Sequence, residues 1–212
     1  MTIRVNYNEI PGTVVEAKRW WRSAVKKVAA ELKDGYRSDA SEEIRRALCS
    51  MDEYKNAETI MLYVSAGKEV ITSSLMNVAL KHGKTVCLPL CMDMDANGKK
   101  IGGEHVMEAR LWNSEHKLVP GAYGIPTPDP DAPTVRPEDI DLVVLPCVTC
   151  DVECNRLGHG AGYYDRYLTQ LRDDCATVAI CYEEVLAERI PVEPHDRTID
   201  AVVTEEKIYR SK

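Results

Sequence analysis

The chain has 212 residues, of which 44% are hydrophobic and 29% charged. That is enough to bury a sizeable core in one domain, and it excludes a disordered chain. A formal net charge of -7 argues against a surface built for nucleic acid or membrane, and no apolar run is long enough to span a bilayer. The opening MTIRVNYNEI has no apolar signal region after a basic stretch, so the expected location is cytoplasmic and the eight cysteines are expected as reduced thiols.

In chain order, residues 1–14 read as a loosely attached N-terminal segment of a single domain spanning 1–212. Trp21, Val25, Val28, Ala29 and Leu32 recur at helical spacing and predict a helix over Val15–Leu32, with Gly35 as its stop. A second helix is expected over about Ser38–Cys49, capped by Ser38 or Asp39. Thr59–Val64 (TIMLYV) reads as a buried strand, Thr72–Leu80 as a helix and Thr85–Leu90 as another strand. Gly98, Gly102 and Gly103 suggest a hairpin. The proline-rich Gly121–Pro133 reads as extended chain or turn, equally suited to a functional loop or an edge connection. Leu142–Val148 (LVVLPCV) is the strongest strand signal. A helix over Tyr163–Arg172, a strand over Thr177–Cys181 and a short strand at Ala201–Val203 complete the pattern. Strands alternating with helices predict an α/β protein with a mostly parallel sheet covered on both faces.

The segment Arg156-Leu-Gly-His-Gly-Ala-Gly-Tyr-Tyr-Asp165 follows the strongest strand and opens the Tyr163 helix. Gly158, Gly160 and Gly162 leave the backbone bare, so its N–H groups can approach a phosphate, with positive potential added by the helix N-terminus. A tight turn is the plainer account of alternating glycines, but flanking by Arg156 and Asp165 favours phosphate. A basic run, Lys18-Arg-Trp-Trp-Arg22 with Lys26 and Lys27, places Lys18 and Arg22 on one helical face. It is either a solvated face or the source of positive charge for an anion. Asp196 could join Asp165 in holding Mg²⁺, although spacing alone does not bring them together. Glu69 is a lone carboxylate where open α/β sheets bind ligands. Cys87, Cys91, Cys147, Cys150 and Cys154 lack the spacing of a zinc ribbon, so buried inert thiols are favoured over a zinc site.

Taken together these residues resemble the 5-formyltetrahydrofolate cyclo-ligase family over about Lys18–Thr204. The core of the likeness is Asn155–Asp165. Lys18-Arg-x-x-Arg22, Glu69, Gly124-Ile-Pro126 and His195-Asp196-x-x-x-Asp200 support it in the family's order. The chain is expected to be a monomer, and the resemblance implies a three-layer α/β sandwich with a Rossmann-like sheet. It also implies ATP- and Mg²⁺-dependent closure of 5-formyltetrahydrofolate to 5,10-methenyltetrahydrofolate, with release of ADP and phosphate. By that resemblance Lys18, Arg19, Arg22 and the loop Arg156, Leu157, Gly158, His159, Gly160, Ala161, Gly162, Tyr163 and Tyr164 contact ATP. Val64, Glu69 and residues 159–163 contact folate, Asp165 and Asp196 bind the metal, and Arg156, Gly160 and Tyr164 act in catalysis. The chain departs from the family pattern at Cys150 (usually Phe), Cys154 (usually Gly) and Thr127 (commonly acidic). Those departures leave open a family-like nucleotide-binding paralogue acting on another ligand.

Overall fold

The structure is a computed structural model that describes residues 12–92, 106–115, 117–121, 124–194 and 196–212. Gly98, Gly102, Gly103 and His195, together with residues 1–11, lie outside the described residues. In chain order the elements begin with α1 (Val14–Glu31), α2 (Asp34–Ser50), α3 (Asp52–Asn56), β1 (Thr59–Met61), α4 (Ser73–Lys81), β2 (Thr85–Cys91) and β3 (Met107–Trp112). There follow β4 (Val119–Pro120), β5 (Pro126–Thr127), β6 (Thr134–Val135), β7 (Leu142–Leu145), β8 (Thr149–Cys150), β9 (Arg156–Leu157), α5 (Tyr163–Tyr167), β10 (Ala176–Ile180), β11 (Ala201–Val203) and β12 (Ile208–Arg210).

The central sheet runs β12-β11-β10-β7-β1-β2-β3-β6. Its five middle strands are parallel, and β12, β3 and β6 join by antiparallel pairing. Every residue of β7 and β11 is buried. A strand buried on both faces needs a layer on each side, which makes the fold a three-layer α/β sandwich with a mostly parallel sheet. From β1 the chain goes to β2 on one side and then to β7, β10 and β11 on the other. The order therefore reverses between β1 and β7, and in open α/β sheets the ligand crevice lies beyond the carboxyl ends of the strands at such a point.

The first helix is set by its ends. The Thr13 hydroxyl accepts a hydrogen bond from the Glu16 N–H and the Glu16 carboxylate accepts one from the Thr13 N–H, a reciprocal capping box. Trp21 is fully buried and Val25 nearly so, which docks one stripe of α1 on the core. Four expectations need correction, the first being the cap at Ser38 or Asp39, since both lie inside a helix whose N-cap is Lys33 with no side-chain cap. Gly35 is not a stop: α1 ends at Leu32, whose extended backbone breaks the helix, and α2 begins at Asp34, about four residues before the expected start. An acidic residue in that first turn suits its amide ends. The helix expected over Tyr163–Arg172 is only α5, tightening into a 3₁₀ turn at Leu168–Gln170. There Arg197 takes the Leu168 carbonyl (2.5 Å) that a continuing helix would use. The Gly121–Pro133 stretch supplies β5, which pairs with β4 in a separate two-stranded sheet.

Candidate active site

A cavity of about 260 Å³ opens near the carboxyl end of β7, where Arg156 reaches the Pro146 carbonyl. α1 supplies Val15, Lys18 and Arg22. β9 and the glycine loop supply Arg156, Leu157, Gly158, Gly160 and Gly162, while Asp165 comes from α5 and Glu193 and Asp196 come from the segment before β11. Lys18 and Arg22 share a face of α1, whereas Arg19 points to solvent and does not line the cavity, being displaced round the helix. Lys26 and Lys27 are exposed as well. The basic run thus divides into two cavity cations and a solvated face.

Lys18 is 8% exposed, and its Nζ lies 2.7 Å from Glu193 Oε2 and 2.5 Å from Asp196 Oδ2. Asp196 Oδ2 also accepts the Glu193 N–H at 2.7 Å. Arg22 Nε donates to the Gly158 carbonyl at 2.8 Å. Burial pulls the Arg22 guanidinium below its ordinary range, opposed by Asp165, Asp196 and Glu193, yet an arginine stays charged at any working pH. Arg156 donates to the Pro146 carbonyl (3.1 Å) and to Asp165 Oδ1 (2.5 Å), with its guanidinium 5.7 Å from the Tyr164 ring centre. Gly160 has φ +102°, and a Cβ there would come within 3.3 Å of the Arg22 guanidinium carbon. Glycine is needed at that position both for the backbone angle and for the approach of the arginine. Because α5 has only five residues, the positive charge at the cavity comes from Lys18, Arg22 and Arg156 rather than from a helix dipole.

The second half of the crevice follows β1. Val64 is half-buried and packs on the core. Glu69 Oε1 lies 3.0 Å from His159 Nε2 across the cleft, and Glu69 Oε2 accepts the Ala66 N–H at 2.8 Å. The Glu69 hydrogen bond raises the His159 imidazole above its ordinary value. Burial raises the Tyr164 phenol, so it remains a neutral hydroxyl. The loop carrying Glu69 is braced from below: Thr72 donates to the Tyr63 carbonyl (2.6 Å), Ser41 accepts the Ile71 N–H (3.0 Å), and Arg37 reaches the Gly67 carbonyl (2.9 Å). The hydroxyls of Ser41 and Tyr182 are 2.9 Å apart in the core.

The cavity and its lining are those of a chain whose sequence matches the 5-formyltetrahydrofolate cyclo-ligase family over residues 14–205. The chain belongs to that family. It is 31% identical over 209 residues to a probable 5-formyltetrahydrofolate cyclo-ligase of Schizosaccharomyces pombe, covering 92% of this chain and 98% of the relative. To the mitochondrial 5-formyltetrahydrofolate cyclo-ligase of Arabidopsis thaliana it is 29% identical over 209 residues, with 91% and 75% covered. Among solved structures, the 5,10-methenyltetrahydrofolate synthetase of Aquifex aeolicus superposes with a TM-score of 0.77 at 30% identity, covering 91% of this chain and 92% of the other. The protein is therefore a cyclo-ligase of this family, and the expected fold holds. Among the described residues, no helix is long and apolar enough to cross a membrane.

Within this cyclo-ligase, Lys18, Arg22, Arg156, Leu157, Gly158, Gly160, Gly162, Asp165 and Asp196 meet at one cavity, and Glu69 meets His159 beside it. The family's usual glycine at position 154 is explained by backbone geometry. Cys154 has φ +65°, in the left-handed region, while its carbonyl accepts the Ile199 N–H at 3.0 Å. Sequence reading missed Glu193, although it stands three residues before Asp196. It also missed Arg37, Ser41 and Tyr182, which carry no local motif.

Proposed function

We propose that this single-domain enzyme uses ATP and Mg²⁺ to close 5-formyltetrahydrofolate to 5,10-methenyltetrahydrofolate, releasing ADP and phosphate, and that it does so in the cytoplasm as a monomer. One observation carries the reading: Lys18, Arg22 and Arg156 converge with a bare glycine loop and three carboxylates, Asp165, Glu193 and Asp196, on a single cavity.

A formamide oxygen is a poor leaving group. Transfer of the γ-phosphoryl group to that oxygen makes it a good one, N10 of the folate then attacks the activated carbon, and phosphate departs. Phosphoryl transfer of this kind needs alignment and charge neutralisation more than a protein nucleophile. Lys18 and Arg22 are assigned to the phosphates, and residues 156–164 to wrapping the triphosphate. Arg156 and the amide at Gly160 are assigned to the charge that develops on the transferred group. Tyr164, a neutral hydroxyl under Arg156, keeps that guanidinium in place. Val64, Glu69, His159, Ala161 and Tyr163 border the folate, Glu69 accepting hydrogen bonds from the pterin-like ring.

Asp165 and Asp196 suit a hard divalent cation, since their donors are carboxylate oxygens and both line the cavity. Among the described residues there is no cluster of three or more His, Cys, Asp or Glu poised to hold a metal. Mg²⁺ takes few carboxylates and completes its shell with water and phosphate oxygens. When bound, the ion would neutralise phosphate charge.

The test is absorbance of the methenyl product when protein, Mg²⁺, ATP and 5-formyltetrahydrofolate are mixed. Product that depends on ATP supports the reading. ATP binding without product would replace it with a paralogue acting on another ligand.

A further inference from the structure

Between β8 and β9 the chain makes the turn 151–155, which launches Arg156 toward the cavity. The turn opens on Asp151, a fully buried carboxylate that does not line the cavity and that the chemistry above does not use. Its Oδ1 closes the turn by accepting the Glu153 N–H (3.0 Å) and the Asn155 N–H (2.9 Å). Its Oδ2 accepts the Asn155 side-chain amide (3.0 Å) and the N–H of Ile190 (3.1 Å), 39 residues away in sequence. The stretch 187–199 that Ile190 belongs to carries Glu193 and Asp196 to the cavity. Its ends are fixed by backbone bonds, the Ala187 N–H to the Cys150 carbonyl at 2.8 Å and the Ile199 N–H to the Cys154 carbonyl at 3.0 Å. Inside those ends the fastening is by side chains. Asp151 holds Ile190, three residues before Glu193, and Asn155 Oδ1 accepts the Thr198 hydroxyl at 3.3 Å, two residues after Asp196.

We propose that Asp151 is a positioning residue for the cyclo-ligase reaction. It fixes the stretch bearing Glu193 and Asp196 against the turn that launches Arg156, and so sets the spacing of carboxylates and cations across the cavity. Removing a carboxylate from water is costly, and an apolar side chain fills a core position without that cost. An acid is needed here because only a carboxylate offers two oxygens that accept and never donate, which is what four donors from two segments require. The inference rests on the roles proposed above for Arg156 and Asp196.

Asp151→Asn tests this at nearly constant shape, replacing one oxygen by NH₂. The remaining amide oxygen keeps the two bonds of the turn. The Asn155 amide, by rotating, presents its oxygen to the new NH₂ and its own NH₂ to the Thr198 hydroxyl, which accepts as readily as it donates. The Ile190 N–H is then left facing a donor, so the substitution unfastens the stretch at one point.

The experiment titrates the full chain by calorimetry with ATP in the presence of Mg²⁺ and, separately, with 5-formyltetrahydrofolate, and measures the Mg²⁺ concentration for half-maximal turnover. In Asp151→Asn, ATP affinity should fall on the order of ten-fold, as for loss of a group that orients metal ligands. The Mg²⁺ requirement should rise with it. Folate affinity should stay as in the wild type, because Glu69 sits on the separate loop after β1. A merely structural role would lower the melting temperature and the active fraction while leaving both constants unchanged, and that result overturns the proposal. Equal weakening of ATP and folate, a general loosening, overturns it as well. Thr198→Val, at an exposed position, cuts the other fastening and should shift the same two constants in the same direction by less. If Asp151→Asn does not fold, unshifted constants in Thr198→Val decide against the proposal. A wild type that forms no product with ATP overturns the reading of the function, and this inference with it. Wild-type turnover with unshifted variants overturns this inference alone.

Discussion

Lys18→Met gives the sharpest test of the site, because Lys18 is paired with two carboxylates in the free protein and is proposed to turn to phosphate when ATP binds. In the free protein its ammonium lies between Glu193 (2.7 Å) and Asp196 (2.5 Å). Methionine keeps the stem and removes the charge. Each charge-assisted hydrogen bond contributes about 1.5–3 kcal/mol, but the two carboxylates keep roughly a quarter of their side-chain surface in water, so the net loss of stability should be about 1–3 kcal/mol. Loss of one cationic contact to a phosphate weakens ATP by a similar amount, about 1.5–3 kcal/mol, or roughly ten- to two-hundred-fold in affinity. The effect on the metal has the opposite sign. Without its cation Asp196 is more electronegative, and Mg²⁺ measured in the absence of ATP should bind more tightly. Calorimetric titration of each ligand separately reads both quantities. Unchanged ATP affinity, or weaker Mg²⁺ binding in a folded variant, would refute the assignment of Lys18 to phosphate and Asp196 to metal.

Asp165→Asn should raise the Mg²⁺ concentration needed for half-maximal turnover, which a metal titration of the product absorbance reads directly. Gly160→Ala should destabilise the loop by about 1–3 kcal/mol and raise the KM for ATP, since φ is +102° and the new Cβ would sit 3.3 Å from the Arg22 guanidinium; thermal melts and ATP titration check both. His159 has a folded-state pKa raised above 6.5 by Glu69. The stability it contributes is therefore fully present below that value and is lost as pH rises through the raised one. The melting difference between the wild type and His159→Asn should shrink over that interval, and a gap that widened with pH would contradict the ion pair. Asp151→Ala removes a fully buried carboxylate that accepts from the Glu153 and Asn155 N–H groups, the Asn155 amide and the Ile190 N–H, all between 2.9 and 3.1 Å. It should cost at least about 3 kcal/mol by denaturant melt.

What the sequence made legible was local. The glycine loop declares itself by spacing, and the strong strand before it by its apolar run. Lys18 and Arg22 declare a shared face by their separation of four. The interior bounds were harder to read. Gly35 looked like a stop because glycine usually follows a helix, yet the break is the extended backbone at Leu32 and Lys33. The helix after the loop looked twice its length, because nothing near Leu168 announces that Arg197 will take its carbonyl. Cys154 could be marked as a departure from glycine, but its φ of +65° belongs to the folded turn closed by Asp151. Arg37, Ser41 and Tyr182 are ordinary core and surface types until the fold brings them under the Glu69 loop, so no spacing could have named them.

The site's charges balance one another before any ligand arrives. Asp165 is held by Arg156 and Asp196 by Lys18, so each proposed metal carboxylate is already paired with a proposed phosphate cation. Separated, the cations would repel across a cavity of about 260 Å³, and so would the carboxylates. On the proposed function, an incoming Mg²⁺–ATP would offer the reverse pairing, its metal to the carboxylates and its phosphates to the cations. Binding then exchanges ion pairs instead of desolvating isolated charges, which keeps the cost of entering a partly buried site low. The exchange works only while α1 stays docked, because Lys18 and Arg22 come from that helix and their partners lie 136 to 178 residues away. Docking depends on Trp21, fully buried in the core between those two cations in sequence. Truncating Trp21 should thus lower ATP affinity without touching the ligand, by loosening the helix that carries both cations.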